Sequence, residues 1–209
     1  MKTARLILLV LSSVMLHACA TTGRPIKYYH IEVPAAVSPS PAPGGFGVAL
    51  QVANIEAPPI MRDGRILYEV GAHEVGTYEY HRWVETPDRM VQNGLVRLLR
   101  SSGKYQSIDL CIVGTKPDYI VRGKIYEFAE VDKPEIYTRV SMEIELHEAP
   151  GNRTVWSHVY SGEEKVDGKE MPNVVQSFDS NLRRRLSEIV AGLDEYFAGR
   201  RRASGTTDR

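Results

Sequence analysis

The most regular hydrophobic pattern in the chain lies between Ile136 and Leu146. Apolar side chains and one threonine occupy every second position there, and charged or small polar residues lie between them. This alternation is typical of a β-strand in a sheet with one buried and one wet face. The turn residues Pro150-Gly151-Asn152 lead into Val155–Tyr160, which predicts an antiparallel hairpin with residue 158 opposite about residue 144.

Other short segments have the composition of strands. They lie at 46–52, 66–68, 77–83, 106–113 and 118–128. Each is rich in β-branched or aromatic residues and is bounded by glycine, proline or polar turn residues. We therefore expect several further strands around the hairpin.

Two segments carry apolar residues at helical spacing. The first begins at Thr86, a suitable N-cap acceptor, followed by Pro87 at the first helical position and by Asp88, which complements the helix dipole. It ends at Gly103, which suits a left-handed C-terminal position. The second runs from Val175 to Phe197. These elements predict an α/β (α+β) fold with two layers: a mixed or largely antiparallel sheet of about five strands, and two helices packed on one face.

The N-terminus has the pattern of a secretory signal. Lys2 and Arg5 form its charged part, and residues 6–16 form its apolar part. Leu16-His17-Ala18-Cys19 resembles the lipobox of bacterial lipoproteins, in which the cysteine takes a diacylglycerol and becomes the first residue, although His17 is unusual there. An uncleaved transmembrane helix would need about 20 apolar residues. General signal cleavage after Ala18 is the other alternative.

We expect a lipoprotein signal peptide at 1–18. Cys19 would then carry lipid, with palmitate among its acyl chains, and would begin a proline-rich tether over 19–45. A single globular domain would follow at 46–199. Residues 200–209 are basic and polar and predict a disordered tail. Inside the tether, the strand-like run 27–33 could dock on the sheet edge or on a partner.

The composition narrows the function. Lysine plus arginine and aspartate plus glutamate each total 26, so the chain has no net charge to attract nucleic acid. Of its two cysteines, Cys111 would have no disulfide partner if Cys19 carries lipid, and we expect it to be a small buried hydrophobe.

Motifs of catalysis or metal binding are missing from the sequence. None of the histidines after the signal segment has metal-ligand spacing, and no Gly-x-Ser-x-Gly occurs. Glu143 and Glu145 share a strand face, but Arg139 joins them, which favours a solvated sheet surface. We therefore predict a protein without enzyme activity, metal or cofactor. A periplasmic hydrolase is the alternative that would need a clustered nucleophile or acid.

Two pairs of neighbouring residues are candidates for partner binding. Tyr28 and Tyr29 lie in the tether, and Arg82 and Trp83 end a strand-like run. Exposed aromatic and arginine side chains are typical of interfaces. For Trp83 the interior of the domain is the favoured position.

Six blocks of sequence follow one another in a recognisable order: the lipobox at Cys19, Lys27–Tyr29, Tyr80–Pro87, Leu95–Gly103, Asp118–Gly123 and Arg153–Ser157. Together they resemble the ABC-type transport auxiliary lipoprotein family, whose best-known branch is paraquat-inducible protein C. The resemblance covers most of the mature chain. It implies a sheet-plus-helices fold like the one predicted above and offers no catalytic residue, so Cys19 is the one functional position that transfers.

The resemblance also implies a cellular context. It indicates a membrane-anchored accessory component that faces the periplasm and works with an MCE-domain (mammalian-cell-entry) protein and an inner-membrane permease in lipid transport between the two membranes. Ala20 after the cysteine favours the outer membrane over the inner one. The alternative is a structural or assembly lipoprotein of the envelope. Whether the protein forms a homo-oligomer is left open by the sequence.

Overall fold

The structure is a computed structural model that describes residues 24–33, 45–71, 73–110 and 116–205. These residues form one mixed sheet and two long helices, which confirms the predicted α+β class. The strands are β1 (Lys27–Tyr29), β2 (Ala49–Glu56), β3 (Arg65–Val70), β4 (Glu74–Trp83), β5 (Ser107–Leu110), β6 (Tyr119–Asp132), β7 (Ile136–Glu148) and β8 (Arg153–Lys165). The helices are α1 (Pro87–Ser102) and α2 (Met171–Gly205), and a short 3-10 helix spans Pro59–Met61.

The long strand β6 is the centre of the sheet. One edge of β6 pairs antiparallel with β7, which in turn pairs antiparallel with β8. Its other edge is shared: the first half pairs in parallel with β2, and the second half pairs in parallel with β3. Beyond β2 lies β5, and beyond β3 lie β4 and then β1. The described residues thus contain eight strands where the sequence predicted about five, because two strands share one edge of β6 and the outermost ones are very short.

The hairpin of β7 and β8 has the predicted register. Ile144 lies opposite His158, as expected from the turn at 150–152. Val140, Met142 and Leu146 are fully buried on the face that the helices cover. The alternation in the sequence therefore identified both the strand and its inner face.

Helix α1 has the predicted ends. Pro87 is at its first position, and Gly103 follows it with a φ of 64°, in the left-handed region. The side chain of Thr86, however, makes no capping hydrogen bond. Its carbonyl oxygen instead accepts the backbone N–H of Met90 at 3.0 Å, so the main chain alone starts the helix.

Helix α2 carries the predicted apolar stripe on its inner face. Its buried members are Phe178, Leu182, Leu186, Ile189, Leu193 and Phe197. The helix continues to Gly205, so the prediction of a disordered tail from residue 200 is corrected. Arg200 holds these last turns against the sheet, because its Nη1 donates to Glu148 Oε1 of β7 at 3.0 Å. It also donates to the hydroxyl of Tyr196 on the same helix at 3.2 Å.

The segment 24–33, predicted as part of the tether, belongs largely to the folded domain. Its strand β1 pairs with β4, and Val33 is only 5% exposed beside Gly94 of α1. The prediction of a tether reaching residue 45 therefore requires correction. Cys19 and Cys111 lie outside the described residues.

Candidate functional site

The four predicted partner-binding residues meet on the pair formed by β1 and β4. In this parallel pair Tyr28 lies opposite Arg82, and Tyr29 lies opposite Trp83. Neighbouring residues of a strand point to opposite faces of the sheet. Tyr29 and Trp83 therefore face the helices, whereas Tyr28 and Arg82 face the side that no helix covers.

The inward pair belongs to the interior of the domain. Trp83 is 3% exposed, and its ring lies edge-on to Phe128 and Phe178 at centroid distances of 5.8 and 5.3 Å. This corrects the candidate role of Trp83 in partner binding, since a core tryptophan is not available to a partner. Tyr29 stacks on His81, and a 2.9 Å hydrogen bond joins its hydroxyl to His81 Nδ1. Burial raises the pKa of Tyr29 and lowers the pKa of His81.

A buried carboxyl lies next to this aromatic pair. Glu130 on β6 is 5% exposed, and the Tyr78 hydroxyl donates to its two oxygens at 3.1 and 3.0 Å. Burial raises the pKa of Glu130 above its ordinary value, although the hydrogen bond from Tyr78 opposes the shift. Burial next to this carboxylate also raises the pKa of Tyr78. The pair can hold a proton on Glu130 at a pH where an exposed glutamate is ionised.

The outward pair extends into a row across three strands. Tyr28 on β1, Arg82 on β4 and Arg65 on β3 are cross-strand neighbours on the uncovered face. Arg65 Nε lies 3.1 Å from a carboxylate oxygen of Asp63, whose carbonyl oxygen accepts a long 3.5 Å hydrogen bond from Arg82. The side chain of Tyr28 is 62% exposed. We call the surface formed by residues 24–29, 60–65 and 82–84 the β1 corner.

A second surface is the groove between β8 and α2, with a volume of about 710 Å³. Trp156, His158 and Tyr160 alternate along β8 toward the helix, and their neighbouring ring centroids are 6.4 and 4.7 Å apart. Gly192 of α2 permits this approach, because a Cβ there would lie 2.7 Å from the Tyr160 hydroxyl. We call this surface the β8 groove. Within the part of the chain that the structure describes, β8 pairs with β7 alone, so its outer edge is free.

The polar rim of the β8 groove is formed by α2. Arg185 donates to the carbonyl oxygen of Ser161 at 2.9 Å and lies 3.0 Å from Glu188. Burial raises the pKa of Tyr160 to about 12, and the charge of Glu188 adds to the shift. The groove thus offers the rings of Trp156 and His158 and an arginine whose charge is already balanced, whereas Tyr160 is buried beneath them.

The comparisons with known proteins identify the family. The family model of the ABC-type transport auxiliary lipoprotein component matches residues 29–190. The chain belongs to this family. The matched residues of this auxiliary lipoprotein begin inside β1 and end within α2. They include the β8 side of the β8 groove and residues 60–65 and 82–84 of the β1 corner, but neither Gly192 nor residues 24–28.

Solved structures show the same fold. A crystal structure of a Xanthomonas campestris protein of the family DUF330 is 20% identical, with a TM-score of 0.73 over 85% of this chain and 99% of that one. A crystal structure of an uncharacterized protein is 13% identical, with a TM-score of 0.63 over 81% of this chain and 99% of that one. No curated protein matches the chain.

The polar face of β7 in this auxiliary lipoprotein lies where the sequence predicted it. Arg139, Glu143 and Glu145 lie on the uncovered sheet face as predicted, and Arg139 is ion-paired with Glu69, Glu127 and Glu163.

In the described ranges, no group of three or more histidine, cysteine, aspartate or glutamate residues could hold a metal ion, and no helix is long and apolar enough to span a membrane.

The sequence analysis missed the β8 groove. Its signal was present: three rings at alternate positions of a predicted strand, and a glycine within the predicted helix. The sequence did not show that the rings of β8 and the glycine of α2 lie side by side in the fold.

Proposed function

We propose that this auxiliary lipoprotein is a non-catalytic binding subunit of an MCE-type ABC transport system that moves lipids between the inner and outer membranes. Acyl chains on Cys19 would anchor it, facing the periplasm, in the outer membrane. The single observation that carries the proposal is the family match over 29–190, which spans nearly the whole described fold. The lipobox-like sequence before Cys19 supports the anchor.

The β8 groove is the surface we assign to the protein partner, an MCE-domain protein or the permease. A free strand edge offers unpaired backbone groups to another chain, and an adjoining row of aromatic rings adds apolar contact area. Trp156 and His158 are the rings of this row that a partner can reach. Tryptophan is a residue type that dominates binding energy at interfaces.

Crosslinking in cells tests the partner. A photo-crosslinking amino acid in place of exposed His158 should capture the MCE-domain protein or the permease. The same amino acid in place of Arg89, exposed on α1, is the matched control and should capture neither. If position 158 instead captured only other envelope proteins, the alternative of a structural or assembly lipoprotein would replace the transport role.

Fractionation tests the anchor. We expect Cys19→Ser to abolish acyl labelling and to prevent normal maturation, because no thiol is left to take the diacylglycerol. Acyl labelling and the membrane fraction of the unaltered protein provide the reference. A Cys19→Ser protein that still matured and stayed with the outer membrane after a salt wash would contradict the assignment.

A further inference from the structure

We propose that the β1 corner rests on the anionic phospholipid headgroups of the membrane that holds the anchor. The inference depends on acylation of Cys19, which is part of the proposed function. It assigns an orientation to the domain: the β1 edge lies at the membrane, and the β8 groove points away from it. The arguments are the length of chain available, the charge of the corner and its exposed apolar side chains.

The chain between the anchor and the fold is short. Seven residues lie between Cys19 and Lys27, where β1 begins, so the chain takes eight Cα-to-Cα steps from one to the other. Fully extended, they span at most about 29 Å, at about 3.6 Å per residue. A domain of about 160 residues has a radius of gyration of about 15 Å, so this reach is less than the width of the domain. The domain therefore stays beside the bilayer.

The proline-rich segment 34–44 adds nothing to this reach. It begins after Val33, which is buried against α1, and it ends before Phe46, whose N–H donates to the Lys104 carbonyl oxygen at 2.7 Å. Both ends are thus fixed to the domain, and the segment is an internal connection of the domain. Only the residues before β1 join the anchor to the fold.

The charge of the β1 corner suits anionic headgroups. Arg24, Arg62 and Arg82 belong to the corner, and none of them has a carboxylate within ion-pair distance among the described residues. At the β8 edge, by contrast, Arg139 lies 2.7 Å from Glu163 and Lys165 lies 2.6 Å from Glu135. Basic residues near a membrane surface attract anionic lipid, whereas cations already paired with carboxylates do so far less.

The apolar side chains of the corner fit the same surface. Ile26 is 43% exposed, Tyr28 is 62% exposed, and Ile60 and Val84 are 44% and 62% exposed. These four side chains come from three segments that meet at the corner, where the Val84 N–H donates to the Tyr29 carbonyl oxygen. Tyrosine with an apolar body and a polar tip is typical of the membrane interface.

Reconstitution of the acylated, full mature protein tests the orientation. Val84→Cys and Val159→Cys, each in a Cys111→Ser background, carry an environment-sensitive fluorophore at two valines that are 62% and 54% exposed. In vesicles of phosphatidylcholine with phosphatidylglycerol, we expect the label at 84 to shift to the blue and to be quenched by a lipid-phase quencher. The label at 159 should keep its emission in water.

The charge dependence provides the second readout. Removal of phosphatidylglycerol should weaken the shift at 84. Arg24→Glu and Arg62→Glu should each lower the ratio of docked to free domain by about fivefold or more, as expected for a basic residue near an anionic surface. Arg122→Glu, an exposed control on β6, should leave the ratio unchanged.

The outcomes separate this inference from the proposed function. If the protein floats with the vesicles but the labels at 84 and 159 behave alike, the anchor stands and the orientation is overturned. An equal effect of Arg122→Glu, or an equal shift without phosphatidylglycerol, also overturns it. If the protein does not float, both the anchor and the orientation are wrong.

Discussion

The two ends of the sheet are built in opposite ways. At one end, β8 is a 13-residue strand joined to β7 by a tight turn, and its register follows from that turn apart from one irregularity between Leu146 and His147. At the other end, β1 has three residues and pairs with a strand more than 50 residues away along the chain. The first end is long and leaves a free edge. The second is short and is locked to the core through aromatic side chains.

The difference teaches where the stability of each end originates. Backbone pairing over 13 residues holds β8; of its three rings, Tyr160 is buried, whereas Trp156 is partly covered and His158 is exposed. A three-residue strand gains little from pairing, so β1 depends on the packing of Tyr29, Val33 and their neighbours. Mutations should therefore affect the two ends through different interactions.

The largest expected effect distinguishes the two tryptophans of the chain. Trp83→Ala should lower the free energy of unfolding by about 3–5 kcal/mol, because it leaves a cavity against Phe128 and Phe178. Trp156→Ala should lower it by no more than about half as much, since this ring is partly open to solvent in the β8 groove. Urea unfolding of both variants measures the difference. Equal losses would show that the β8 groove is as much part of the core as Trp83 is.

The next effect concerns the contact of α2 with the hairpin. Asn181 is 1% exposed, and its Nδ2 donates to the carbonyl oxygens of Thr138 and Gly162, both at 2.9 Å. Asn181→Ala should cost about 1–3 kcal/mol, because two carbonyl groups lose their donor in a buried site. Ser187→Ala, which removes an exposed hydrogen bond within α2, is the control and should stay near wild type in the same unfolding experiment.

Two helix glycines should respond in opposite directions. Gly94 lies beside Val33, and a Cβ there would meet Leu186 Cδ1 at 2.6 Å and Val33 Cγ2 at 3.1 Å. Gly94→Ala should therefore lower the free energy of unfolding by about 1–3 kcal/mol. Gly199, at the β8 groove, has open space, so Gly199→Ala should raise that energy by up to about 1 kcal/mol through helix propensity. Thermal unfolding of the pair checks the signs, and a stabilising Gly94→Ala would contradict the packing of Val33.

The smallest effects depend on pH and again have opposite signs. Burial raises the pKa of Glu130 above its ordinary value of 4.5, so the folded state loses stability as the pH rises from about that value through the raised pKa. Glu130→Gln should accordingly gain stability relative to wild type as the pH rises through this window.

The hydrogen bonds from Arg200 and Arg153 hold the pKa of Glu148 below its ordinary value of 4.5. Its contribution is present above that value and is lost as the pH falls through the lowered pKa. Glu148→Gln should thus be destabilising at neutral pH and nearly neutral in acid. Unfolding curves of both variants across pH test the contrast, and a common sign would refute the assigned environments.

The contrast between the two ends of the sheet also explains which parts of the fold the sequence predicted. Alternation and turn residues are local signals, so the β7–β8 hairpin, its register and both helices were found. The apolar stripe of α2 and the burial of Trp83 followed from composition and spacing. Parallel pairing of β2 and β3 with β6 has no local signal, so the sequence did not show that all of its strand-like segments join one sheet.

The surfaces were harder to predict than the fold. Tyr28 and Arg82 were chosen as residue types, and only the register of β1 on β4 shows that they share an outward face while Tyr29 and Trp83 point inward. The β8 groove required a strand and a helix far apart in sequence to be placed side by side. Val33 was assigned to the tether because a single buried valine next to prolines has no recognisable pattern.

The central claim is that the segment 24–33 is a built-in edge of the domain, while β8 is left open. Hydrogen exchange of the Val84 amide tests it most directly, because this N–H donates to the Tyr29 carbonyl oxygen at 2.7 Å and has that bond only while β1 is docked. We predict exchange as slow as for the neighbouring Trp83 amide, which donates to Gly64 at 2.7 Å. Exchange of Val84 at the rate of an unprotected amide, with Trp83 still protected, would contradict the claim.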